Sequence, residues 1–230
     1  MSLILGIDTS SVELSIALAA ERQLIATYSR YVRNSHAEQI TQAVAFMLNA
    51  HGVGADRIKH IALAIGPGSF TGLRIGIAFV KGFTCNTALK VAGVSSLQSV
   101  ACASLAEDGP LTVAFDARKG TIYWARFERS NGQTKRLSPD RLTDGDQFKQ
   151  HIGPEDRIII DILGYAKSTC FDFLAESPRV LRAETSGLQR GWGCIRASQH
   201  KNTPWLLPSA IEPCYLAMPN FTKMSKASLA

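Results

Sequence analysis

Residues 61–83 read IALAIGPGSFTGLRIGIAFVKGF, and no other stretch of the chain restricts its fold so tightly. Ile61 to Ile65 is a short apolar run suited to a buried strand. Gly66-Pro67-Gly68 forces a turn, and Ser69 or Thr71 offers an oxygen to the free N–H groups of the helix predicted to follow. A glycine-rich turn ahead of a helix invites a phosphate. The spacing of Gly66, Gly68 and Gly72 is, however, one residue off the dinucleotide fingerprint, and no Lys-Ser or Lys-Thr pair follows as a P-loop requires.

The predicted helix carries Gly72, Gly76 and Gly82, each costing about 1 kcal/mol against alanine in a helix interior. Something must offset that cost. Gly72 and Gly76 share a face beside Leu73, Ile77 and Val80, which permits a close approach. Two readings stay open: packing inside the chain, or a helix-to-helix contact with a partner chain.

Before this stretch, Leu3 to Ile7 and Val12 to Ala19 read as strands around the turn Asp8-Thr9-Ser10-Ser11, and Gln23 to Val32 supports a third antiparallel strand. Asp8 either closes its turn through backbone N–H groups or stands at a phosphate or metal-water site. Ser35 and Glu38 have the spacing of a capping box, opening a helix to about Asn49 with Ile40, Val44, Met47 and Leu48 as its apolar stripe. His36 has Ile40 four residues on instead of a second imidazole, so a capping or interface role is expected of it. None of His36, His51, His60, His151 and His200 is paired at helical metal-ligand spacing. Strands over Asp56 to Ile65 and Leu89 to Val94, then a helix capped by Ser95 or Ser96 and running through Ala103, complete a first half.

The plan then restarts. Leu111 to Phe115, an aspartate turn at Asp116-Ala117-Arg118-Lys119-Gly120 and Ile122 to Glu128 repeat the opening hairpin, and Asn131-Gly132 predicts a further one. A helix over Asp144 to Gln150, a strand over Arg157 to Ile162 and a helix over Gly164 to Glu176 follow. Gly187, Gly191 and Gly193 are expected to break any long element before a helix near Ile195 to His200. The expected units are residues 1–106 and 107–217, with 218–230 a disordered tail.

Composition narrows the class. Five dispersed cysteines, never in a C-x-x-C pair, argue against a disulfide framework or a zinc site and predict buried thiols. No apolar run reaches the length of a membrane span, and the start MSLILGIDTSS has no basic, signal-like opening, so a cytoplasmic protein is expected. The net charge of +6 gathers around Arg118, Lys119, Arg126, Arg129, Lys135, Arg136 and Arg141, with Tyr123, Trp124 and Phe127 interleaved. That stretch reads either as a solvated hairpin face or as a nucleic-acid surface.

Two strand-strand-strand-helix-strand-helix halves, each opening on an aspartate turn, describe an actin-like ATPase (ASKHA, ribonuclease H-like) α/β fold of two related subdomains, each a mixed sheet with flanking helices. The runs Asp8-Thr9-Ser10, His36 to Glu38, GPGSFTGLRIG over Gly66 to Gly76, Val94-Ser95-Ser96-Leu97, DARKGTIY over Asp116 to Tyr123 and Pro213-Cys214-Tyr215-Leu216 recur in order. Over residues 1 to about 217 the chain resembles the TsaB (YeaZ) family of tRNA threonylcarbamoyladenosine biosynthesis proteins. The resemblance implies a non-catalytic scaffold for the paralogous subunit TsaD, which transfers a threonylcarbamoyl group onto N6 of adenosine 37 in tRNAs reading ANN codons. The ATPase TsaE would join the assembly. ATP would be used by the complex, with no cofactor bound by this chain alone, and tRNA would be met through the complex.

By the same resemblance, the helices near Ser35 to Asn49 and Thr71 to Phe83 face the partner or a second copy of the chain. His36, Ile40, Val44, Phe70, Gly72, Leu73, Gly76, Ile77 and Val80 are the candidate interface residues, and Asp8, Thr9, Ser10 and Asp116 a vestigial phosphate site. Arg118 and Lys119 stand where an ATPase brings bare backbone against phosphates, which speaks against catalysis. The alternative is a phosphotransferase or ATPase using Asp8 and Asp116. For a peptidase, no Ser/His/Asp constellation can be assembled from the spacing.

Overall fold

The computed structural model describes residues 2–32, 35–162, 169–183 and 189–216. The first half contains β1 (Leu3–Asp8), β2 (Glu13–Ala20), β3 (Gln23–Tyr31), α1 (His36–Ala50), β4 (Ile58–Gly66), α2 (Phe70–Phe83), β5 (Lys90–Ser95) and α3 (Ser96–Ala103). Its sheet runs β3-β2-β1-β4-β5, an antiparallel meander extended by parallel β4 and β5. The second half contains β6 (Gly109–Asp116), β7 (Thr121–Ser130), β8 (Gln133–Arg136), β9 (Arg141–Asp144), α4 (Gly145–His151), β10 (Arg157–Asp161), β11 (Val180–Arg182) and α5 (Arg190–Ser198). Read as β8-β7-β6-β10-β11, the second sheet has the strand plan of the first, with β9 added beside β7.

The two faces of the first sheet differ in kind. Leu5, Ile7, Leu14, Ile16, Ile61 and Leu63 pack under α1 and α2, giving that side a thick aliphatic core. The other face offers Ala17, Ala19, Ala62 and Ala64, small side chains that let α5 lie close. Gly191 belongs inside that helix because a Cβ there would come within 2.7 Å of Ile16 backbone, and one on Gly193 within 2.0 Å of the Ser99 carbonyl. These glycines, expected to break any long element, are the positions where α5 touches β2, at Gly191, and α3, at Gly193.

Three N-caps form: Ser69 and Ser95, each one of the two candidates read for its helix, and Asp144, read as the helix's first residue, each accept from a backbone N–H of the next turn. Ser35 does not: it makes no side-chain cap hydrogen bond, so the capping-box signature is not realised. Within the stretch expected as a helix over Gly164 to Glu176, the described part holds only a short 3-10 turn at Asp172–Leu174, and Gly164 lies outside the described residues, as do Gly187 and the tail 218–230. The cysteines are free, yet only Cys102 and Cys194 are buried, while Cys85 and Cys214 are exposed.

The end of the described chain returns to the first half. Leu206 bridges Val91 on the edge of β5, the Cys214 N–H donates to the Ile65 carbonyl at 2.7 Å, and Lys81 pairs with Glu212 at 3.0 Å. α5 is also seated on β1 and β2. No described helix is long and apolar enough to cross a membrane.

Candidate functional site

β1 ends at Asp8, whose carboxylate is fully buried and fully engaged. Its Oδ1 accepts from the Ser10 N–H at 2.7 Å and the Ser10 hydroxyl at 2.6 Å, and Oδ2 accepts from the Ser99 hydroxyl at 3.1 Å. The aspartate therefore closes its own turn and ties it to α3.

The GPGSFTG turn lies directly on this one. A Cβ at Gly68 would stand 2.5 Å from the Ser10 carbonyl, one at Gly72 2.0 Å from the Thr9 carbonyl, and one at Gly76 2.5 Å from Thr9 Oγ1. Ser69 N–H donates to the Ser10 carbonyl at 2.7 Å, and the Thr9 hydroxyl donates to the Gly72 carbonyl at 2.8 Å. Of the two readings left open for the glycine face, packing inside the chain is what forms. Its occupant is the aspartate turn.

Below that turn sits a residue the sequence did not single out. Arg190, the first residue of α5, is buried, pairs with Asp161 at the end of β10 and stands 5.6 Å from the centre of the Phe115 ring. Burial opposes its charge, but Asp161, Asp8 and Glu13 hold the guanidinium protonated beyond its ordinary range. Its backbone is fixed to the first half, where the neighbouring Gly191 N–H donates to Ser15 Oγ at 3.0 Å, and its side chain reaches the second. Asp161 follows an apolar strand as Asp8 and Asp116 do, and that shared pattern is the signal by which it could have been found. Arg190 lies in a stretch with no comparable sign.

Asp8, Thr9 and Ser10 are 0% exposed and Asp116 is 4% exposed. Asp8, Thr9 and Ser10 do not fit a phosphate site as folded here, since glycine-loop backbone occupies the approach to the first turn. Asp116 accepts from the Arg118 N–H at 2.6 Å, closing its turn in the same way as Asp8. Among the described residues no group of three or more His, Cys, Asp or Glu side chains could hold a metal ion.

His36, Ile40, Val44, Gly72, Leu73, Gly76, Ile77 and Val80 all point into the chain's own core, and of the nine candidate interface residues only Phe70 is half-exposed. Helical periodicity picked out the face that packs at home. The opposite faces of α1 and α2 expose Thr41, Ala45, Phe46, Arg74 and Ala78, with Phe46 65% exposed. Arg74 lies 3.9 Å over the Phe70 ring and donates to the Tyr215 hydroxyl at 3.0 Å.

The basic hairpin turns its aromatic side chains inward, while Arg118, Lys119, Lys135 and Arg141 stay exposed. Tyr123, Trp124 and Phe127 are core residues, Arg126 pairs with Asp156 at 2.8 Å, Arg136 with Asp140 at 2.6 Å, and Arg129 donates to the Ser104 carbonyl at 2.7 Å. Its aromatic rings are not available to stack on bases.

Two sheets of one plan, each opened by a hairpin with an aspartate at its tip, define the actin-like class. YeaZ from Pseudomonas aeruginosa shares that fold, with a TM-score of 0.75 and 21% identity over 94% of this chain and 100% of its own. The sequence profile of the tRNA N6-adenosine threonylcarbamoyltransferase family, TsaD, matches residues 28–159, more than half of the chain. The tRNA threonylcarbamoyladenosine biosynthesis protein TsaB of Bacillus subtilis (strain 168) is 33% identical over 165 residues, 72% of each chain. TsaB of Escherichia coli (strain K12) is 36% identical over 128 residues, about half of each. The chain belongs to this family, in its TsaB (YeaZ) branch.

Proposed function

We propose that this chain is the non-catalytic scaffold of a cytoplasmic complex that forms N6-threonylcarbamoyladenosine at position 37 of tRNAs reading ANN codons, and that it works by binding a TsaD-type catalytic paralogue. The naming of its relatives for threonylcarbamoyladenosine biosynthesis supports the pathway. The observation that carries the scaffold role is the closed Asp8 turn, whose buried carboxylate accepts from the Ser10 N–H, the Ser10 hydroxyl and the Ser99 hydroxyl. A chain built this way contributes surface. The outward faces of α1 and α2 supply it, with Ala45 and Ala78 small enough for helices to approach and Phe46 exposed for burial. A TsaE-type ATPase and tRNA join the same assembly, ATP is used by the assembled complex, and a second copy of this chain can use the same faces when the paralogue is absent.

Co-purification with the TsaD-type paralogue of the same organism tests this. Ala78→Glu, on the exposed side of α2, is expected to weaken the complex at least tenfold and to lower tRNA modification in proportion, with the melting temperature of the free chain unchanged. An intact complex carrying that variant would sink the interface assignment.

A further inference from the structure

Away from the Asp8 and Asp116 turns, a groove of about 620 Å³ opens between the segment joining α3 to β6, the strands β10 and β11, and α5. Nothing in the proposed scaffold role uses it. Its volume is that of a small-molecule site. Leu105, 91% exposed, and the half-buried Trp192 supply apolar walls, while Arg157, Arg179 and Arg196 stand around them against one lining carboxylate among the described residues, Glu107.

The three guanidinium groups are held in place without being used up. Arg179 places NH1 on the carbonyls of Gly153, Pro154 and Asp156, and Arg196 spans the carbonyls of Cys102 and Gly132. Carbonyls fix a guanidinium but leave its charge. Arg157 meets Glu107 through NH2 alone, so among the described residues Arg157 and Arg179 each keep Nε and one terminal nitrogen without a hydrogen-bond partner. Three positioned cations against one anion favour an anionic ligand, and forked guanidinium donors suit phosphate. An indole wall beside them suits a base.

We propose that this groove binds a nucleotide, its base against Trp192 and Leu105 and its phosphate on Arg157, Arg179 and Arg196. The inference goes beyond the scaffold reading and holds for the isolated chain, so it stands or falls without the paralogue. The net charge of +6 favours approach of such a ligand. The nucleotide is either a free mononucleotide or one unit of an RNA strand.

The test is binding of AMP, of a labelled single-stranded RNA and of tRNA to the full chain at low and moderate salt, with a glutamate-rich peptide as comparison. Leu105→Glu adds a carboxylate at an exposed position and is expected to weaken nucleotide binding at least tenfold without altering the melting temperature. For RNA, Arg157→Gln is expected to reduce the slope of log affinity against log salt by about 0.7. RNA binding displaced by AMP, RNA binding that AMP cannot displace, or AMP binding alone each supports the site and names its source, provided Leu105→Glu weakens it. Binding of the peptide alone, of nothing, or of nucleotide with wild-type affinity by both variants overturns it.

Discussion

Asp8 and Asp116 end the first strands of two hairpins with the same plan, and each accepts a hydrogen bond from the backbone two residues on. Their surroundings differ. Thr9, Ser10 and Ser11 are buried under the GPGSFTG turn, whereas Arg118, Lys119 and Gly120 are exposed and take left-handed φ values of 71°, 51° and 75°. A repeated strand order sets where a carboxylate points. The residues laid over it decide whether anything else can reach it, and in the first half a row of glycines brings that cover into backbone contact.

Paired substitutions probe this contrast most strongly. Gly72→Ala places a Cβ 2.0 Å from the Thr9 carbonyl and is expected to cost about 3 kcal/mol, lowering the melting temperature by roughly 6–12 °C. At Gly120 a Cβ meets open space, and only the φ of 75° is penalised, about 1 kcal/mol. Its melting temperature should fall by roughly 2–4 °C. Equal losses at the two positions would erase the distinction between a covered and an open turn.

A smaller effect follows from His36, at the start of α1 beside the first turn. Burial lowers its pKa from the ordinary 6.5, so the folded chain resists a proton that the unfolded chain accepts. Stability is therefore full above about pH 7 and declines as pH falls below the unfolded value near 6.5. Denaturation followed from pH 8 to pH 5.5 should show that decline, and His36→Gln should flatten part of it. The remainder belongs to His60 and His200, which burial lowers too. An unchanged slope in the variant would mean that His36 is wetter than the packing around the Asp8 turn indicates.

Much of this was legible in the chain. Apolar runs stopped by an aspartate located β1 and β6, Asn131-Gly132 marked the β7–β8 turn with φ values of 51° and 71°, and the restart of the pattern revealed two halves of one plan. Short β9 and β11 escaped because strands of four and three residues carry too little alternation to be read. α5 was read only from Ile195 onward, and its start escaped for a different reason. Its glycines are unfavourable in isolation and make sense only against β2 and α3, which come from residues far away in sequence. Periodicity located the buried stripes of α1 and α2 correctly, but a stripe does not say which partner it meets. Thr9 claimed the glycine face, and the exposed faces of α1 and α2 carry no strong apolar signal.

On the proposed scaffold role, the Asp8 carboxylate builds the chain's own structure and takes no part in chemistry. Asp8→Asn keeps an oxygen for the Ser10 N–H and can reverse the bond to the Ser99 hydroxyl, so it perturbs the turn little. The decisive measurement is the rate of tRNA threonylcarbamoylation by the reconstituted complex carrying that variant. A rate within about twofold of wild type, which is under 0.5 kcal/mol in barrier, is the predicted result. A loss of a hundredfold or more, with the complex still intact and the chain still folded, would contradict it.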